Sequence, residues 1–199
     1  MTDLQALLKR FEKSPVIAAV RSLEAGRLAY RSPAAAVFLL NASILDLEQL
    51  VGEAHDNDKP VFLHLDLTEG LGRDSAAVRW CIERFHVDGV ISTRPNLLKA
   101  ASDLGAVTIQ RLFLMDTPSF EHGIRLLRND PPDMAEILPG IAPKAIHRLC
   151  EALNKPVIAG GLVTEPREVA LALQAGALAV SASEPRLWSH TLEANAHRR

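Results

Sequence analysis

Eight short apolar runs, starting near Val16, Ala36, Val61, Gly89, Val107, Met134, Pro156 and Ala179, recur at intervals of roughly 18 to 28 residues along the chain. Stretches with helical periodicity fill the intervals. Apolar runs of this length separated by helices form parallel strands, because a parallel pair needs a long crossover rather than a tight turn. Eight such units can close on themselves and remove both sheet edges. The chain is therefore read as a compact (β/α)8 barrel of the TIM type, one domain over residues 1–199, with its core at about 14–190 and a frayed tail at 191–199. An open doubly wound sheet is the rival. It would carry a glycine-rich fingerprint after its first strand, where Val20, Arg21 and Ser22 stand instead.

The intervening helices are legible from their stripes. An amphipathic helix over Asp3 to Phe11 precedes the first strand, and Ser22 caps a short helix over Leu23 to Tyr30. Ile44, Leu47, Leu50, Val51 and Ala54 predict one continuous helix, and Asn96 to Leu104 another. The third strand is expected to run from Val61 to Asp66, which by alternation puts His64 and Asp66 on one face. After the sixth strand, Glu136 leads into Pro139-Gly140 and then Pro143, the pattern of a βα loop with proline in the first helical turn. A final helix is expected from about Pro185.

Composition narrows the function. A formal charge of −2 provides no bulk basic field to hold nucleic acid, so any such role needs a local patch. Arg27 and Arg31 share one helix face, and Lys144 and Arg148 another; either pair is solvated surface or an RNA contact. The two cysteines, Cys81 and Cys150, sit at helical spacing among apolar residues, as buried reduced thiols do in a cytoplasmic protein. No secretion signal and no apolar run near 18 residues is present, so a cytoplasmic location without membrane contact is expected.

In this fold the site lies where the strands end. The polar residues there include Arg21, Asn41, His64, Asp66, Glu69, Thr93, Arg94, Gln110, Arg111 and Glu136. Gly160 and Gly161 after the seventh strand, with Ser181 and Ser183 after the eighth, form the sharpest signal: backbone N–H groups can approach an anion there, and these loops are the usual phosphate site. Lys144, at a helix start, suits contact with a phosphate better than a Schiff base. Asp66, Glu69 and Glu136 are open to several roles: gathering a cation, acting as a base, accepting from ligand hydroxyls, or pairing with Arg111 and Arg94. No metal or catalytic residue is assigned. His64 lacks a second histidine at ligand spacing and reads as an interior histidine on the polar rim.

The stretches His64 to Asp74, Asp88 to Arg94, Thr108 to Asp116, Glu136 to Lys144, Pro156 to Leu162 and Ala175 to Ser183, taken in this order, resemble the glycerol uptake operon antiterminator regulatory protein family, the GlpP-type regulators. The resemblance covers Ser14 to Trp188. It implies a non-catalytic cytoplasmic regulator that responds to glycerol 3-phosphate as effector, needs no cofactor, and acts on leader mRNA to cause transcription antitermination of glycerol catabolism genes. The effector's phosphate would sit on Gly160, Gly161 and Ser183, and its hydroxyls on Asp66, Glu69, Gln110 or Glu136. Two other readings stand beside it: a small barrel enzyme acting on a phosphorylated three-carbon or sugar substrate, and a ligand sensor that docks onto a protein. Homo-oligomer formation is left open.

Overall fold

The computed structural model describes residues 3–129 and 132–189. Its strands are β1 (Val16–Val20), β2 (Val37–Leu39), β3 (Val61–His64), β4 (Gly89–Ser92), β5 (Val107–Phe113), β6 (Met134–Leu138), β7 (Val157–Gly160) and β8 (Ala179–Ala182). They pair in parallel in chain order, and β8 returns to β1 with Ile17 beside Ser181, so the barrel is closed. The expected (β/α)8 architecture is the observed one.

Around it lie α1 (Leu4–Lys13), α2 (Leu23–Tyr30), α3 (Leu47–Asp56), α4 (Ser75–Phe85), α5 (Pro95–Ser102), α6 (Thr117–Asn129), α7 (Pro143–Ala152) and α8 (Pro166–Gln174). Their starts are specified locally. Ser22 accepts the N–H of Ala25 and Asp74 that of Ala77, while Pro95, Pro143 and Pro166 occupy first turns, where a missing N–H costs nothing.

Alternation sorts the strand residues into two cores. Val37, Leu39, Val61, Leu63, Ala135, Ile137, Val157 and Ala159 face the helices, whereas Ile17, Phe38, Phe62, Ile91, Ile109, Met134, Ile158 and Ala179 fill the barrel. Leu7 and Phe11 of α1 join the interior group and close the N-terminal end. Phe38 and Phe62 meet edge to face at 5.6 Å.

Three expectations are corrected. The helix predicted from Ile44 starts at Leu47, because Ser43 is bridged to Glu69, with Glu69 N–H donating to Ala42 O and Ile44 N–H to Glu69 O, and residues 44–46 form a turn in which Asp46 N–H donates to Ser43 O. The third strand stops at His64, and Leu65–Leu67 form a 3-10 turn in which the Thr68 hydroxyl donates to His64 O. Pro185–Leu187 is likewise a 3-10 turn rather than a helix start, anchored by buried Trp188, whose indole N–H donates to Ala182 O at 2.8 Å. The tail expected at 191–199 lies outside the described residues.

Candidate functional site

The barrel interior turns polar at its C-terminal end. On β5 the interior face carries Ile109 and then Arg111; on β6, Met134 and then Glu136; on β8, Ala179 and then Ser181. These three polar side chains converge. Arg111 Nε–H donates to Glu136 Oε2 at 2.6 Å, and the Ser181 hydroxyl donates to Glu136 Oε1 at 2.6 Å. Glu136 is 1 % exposed and Arg111 7 %, so this ion pair lies out of water and depends on its hydrogen bonds. Gly160 of β7 fits against the group only because it lacks a side chain: a Cβ there would lie 2.6 Å from Glu136 Oε1 and nearer still to Ser181 Oγ.

Above them the Pro139-Gly140 and Gly160-Gly161 turns lock together. Gly140 N–H donates to Gly161 O, and Gly161, at φ 76°, has a conformation that would push a Cβ into Leu138. Beneath the turns is a cavity of about 120 Å³, lined among others by Arg21, Arg111, Glu136, Gly161, Leu162, Ser181 and Ser183. Glu136 balances one of the two arginines, so the lining favours an anion. Among the described residues only the Nε–H of Arg111 is engaged, which leaves its terminal N–H groups for that anion.

A second cluster stands on the other side of the mouth. Asp66 Oδ2 accepts from the Ser92 hydroxyl at 2.8 Å and from Thr93 N–H at 2.9 Å, and Arg73 donates to Asp66 O. Asp66 Oδ1 lies 3.3 Å from Arg94 Nε, within ion-pair reach but not aligned for a hydrogen bond. His64 Nδ1 is buried without a hydrogen-bond partner, 3.8 Å from Asp66 Oδ2. Burial, aided by the charge of Arg111 and opposed by Asp66, brings the His64 imidazole down to about 4.

This has a testable consequence. An unfolded histidine takes its proton near pH 6.5, so folding gains nothing from His64 above that pH and loses stability as pH falls toward 4, by on the order of 3 kcal/mol. Urea unfolding at pH 7.5 and 4.5 is expected to show this loss in the wild type and much less of it in His64→Gln. Equal pH dependence in the two proteins would remove His64 as its source.

Residues 16–188 match the family model described as glycerol-3-phosphate responsive antiterminator. The chain belongs to that family. It is similar, at 32% identity and a TM-score of 0.85, to the glycerol uptake operon antiterminator regulatory protein of Listeria monocytogenes, over 89% of this chain and 96% of that one. A glycerol uptake operon antiterminator-related protein of Thermotoga maritima is 28% identical with a TM-score of 0.79, over 89% of this chain and 99% of that one. The uncharacterized protein YgcP of Escherichia coli is 33% identical over 183 residues, 92% of this chain and 96% of YgcP.

In this member of the antiterminator family, the residues picked out from sequence fall into distinct places. Arg111, Glu136, Gly161, Ser181 and Ser183 meet around the cavity, with Gly160 packed beneath it. His64, Asp66 and Thr93 gather in the second cluster. Gln110 points the other way, outward from β5, where its amide donates to Ser92 O and Arg111 O. Glu69 has an exposed side chain and uses its backbone to hold the loop after β2. Lys144 is exposed in the first turn of α7, away from the cavity lining. Arg21, collected with the rim but given no role, lines the cavity, and Ser92, which sequence reasoning passed over, holds Asp66. A small residue ending a buried strand gives little signal of that kind. Among the described residues no group of three or more His, Cys, Asp or Glu could hold a metal ion, and none of the described helices is long and apolar enough to cross a membrane.

Proposed function

We propose that this chain binds glycerol 3-phosphate in the strand-end cavity and, when loaded, binds leader mRNA of glycerol catabolism genes and prevents premature termination of transcription. The observation that carries the ligand assignment is the presence of two arginines and only one carboxylate around a small cavity that Gly161 helps to line. A phosphate would meet the terminal N–H groups of Arg111, the side chain of Arg21, the backbone beside Gly161 and the Ser183 hydroxyl. Its glycerol end would turn toward the polar layer below. A cavity of about 120 Å³ is well under the roughly 300–1,000 Å³ of sites for larger ligands, which suits a three-carbon phosphate. The family match supports both the effector and the regulatory role.

In this reading the ligand acts by differential affinity. Glycerol 3-phosphate stabilises the loop arrangement that RNA prefers, and RNA in turn tightens the ligand by the same factor. The direct experiment is equilibrium binding to the leader RNA of a glycerol catabolism operon at two salt concentrations, with and without glycerol 3-phosphate. The expected result is an affinity that rises with the ligand, typically 5- to 150-fold, roughly 1–3 kcal/mol of coupling, and falls with salt. The ligand is expected to be recovered unchanged. Absence of RNA binding in both conditions would refute the antiterminator mechanism for this chain, and consumption of the ligand would assign it to the small barrel enzymes instead.

A further inference from the structure

The surface cations are not all alike. Along α2 to α5 four of them are fastened to carboxylates: Arg27 to Glu53 through two hydrogen bonds, Arg84 to Glu48, Arg79 to Glu83 and Lys99 to Asp103. On α6 and α7 the pattern changes. Arg125, Lys144 and Arg148 are exposed, and among the described residues none has a carboxylate within 4.0 Å. The Arg148 guanidinium lies 4.6 Å over the Phe120 ring, which holds its charge between the two helices.

The strand ends and loops at the heads of α6, α7 and the neighbouring α8 carry exposed apolar side chains. Phe113 is 51%, Met115 84%, Ile141 42% and Leu162 69% exposed. Backbone bonds tie these loops side by side: Leu114 N–H donates to Leu138 O at 2.8 Å and Gly140 N–H to Gly161 O at 3.0 Å. An exposed apolar arc therefore adjoins a helix pair on which the exposed cations Arg125, Lys144 and Arg148 outnumber the exposed carboxylates Glu121 and Glu151.

We propose that this face, the arc at the heads of α6 to α8 together with the cations of α6 and α7, is where single-stranded RNA binds. The proposal rests on the reading that RNA is the partner, and it says where. Phosphates would lie along the cations and unstacked bases against the arc, Phe113 foremost. Charge complementarity selects this occupant, because a chain of net charge −2 can hold a polyanion only where its cations are left unneutralised. Leu162 belongs both to the arc and to the cavity lining, so a ligand in the cavity touches a residue that the RNA would touch from outside.

The test measures leader RNA binding, with glycerol 3-phosphate present, for wild type, Arg125→Ala/Arg148→Ala, Phe113→Ala, and the control Arg79→Ala/Lys99→Ala. The first double variant is expected to lose about tenfold in affinity at physiological salt and to flatten the slope of log K against log salt by about 0.7 for each cation removed. Phe113→Ala is expected to lose about tenfold with the slope unchanged, and the control to bind as wild type. Arg148→Lys alone is expected to keep the wild-type slope, because the charge is retained. Wild-type affinity in the α6–α7 double variant, or an equal loss in the control, overturns the assignment of the face while leaving the RNA reading intact. No RNA binding by wild type fails the RNA reading itself and this proposal with it. If Phe113→Ala then abolishes self-association in sedimentation, the arc is a contact between copies instead.

Discussion

Glu136→Ala is expected to lower the stability of the barrel by about 3–5 kcal/mol, measured by urea unfolding at pH 7.5. The substitution leaves the Arg111 guanidinium 7 % exposed with no counter-ion and removes the acceptor of the Ser181 hydroxyl. A domain of this size holds roughly 5–15 kcal/mol in all, so the loss is a large fraction of it. The double substitution Arg111→Met/Glu136→Leu is expected to recover most of the stability, because no buried charge remains, yet to bind no glycerol 3-phosphate. That separation would show that the pair is kept for its ligand and not for the fold. A Glu136→Ala protein within 1 kcal/mol of wild type would mean that water reaches Arg111 freely, contrary to its burial.

Gly160→Ala is the second large effect. The added methyl would stand 2.6 Å from Glu136 Oε1, and nearer to Ser181 Oγ, both of which are held by hydrogen bonds inside a closed sheet. Overpacking of this kind together with a broken charge-assisted bond is expected to cost about 3 kcal/mol and to abolish ligand binding. Ser181→Ala removes the nearest obstructing atom. The double variant Gly160→Ala/Ser181→Ala should therefore be more stable than the sum of the single effects allows, and a double-mutant cycle measures that coupling. Simple additivity would contradict the close packing of the three residues.

Much of this was legible in the residues. The apolar runs gave the strand order, and Glu136 before a Pro-Gly turn was the correct mark of a βα loop, with Pro143 opening α7 as expected. Strand-end position alone also picks out Arg111, Glu136 and Ser181. What failed was inference by alternation beyond a strand's end. His64 and Asp66 do come near each other, at 3.8 Å, but through a 3-10 turn that lets Asp66 reach across to Ser92 and Thr93, and not as neighbours on one strand face. The same rule, applied inside β5, would have separated Gln110 from Arg111. Polarity alone had placed both on the rim. The glycines of the seventh loop were read for what they admit from outside, whereas Gly160 is also required by what lies behind it.

The N-terminal helix gives the molecule a direction. With Leu7 and Phe11 seated among Ile17, Phe38 and Phe62, the barrel is a well with a solid base, and solvent meets the charged layer from above only. A solute that enters must leave by the way it came. On the proposed reading, a bound ligand would therefore be felt first by the residues that line the mouth, Leu162 among them. Substitutions in the base bear on how long the well stands, while the charged layer at its mouth stays as it is.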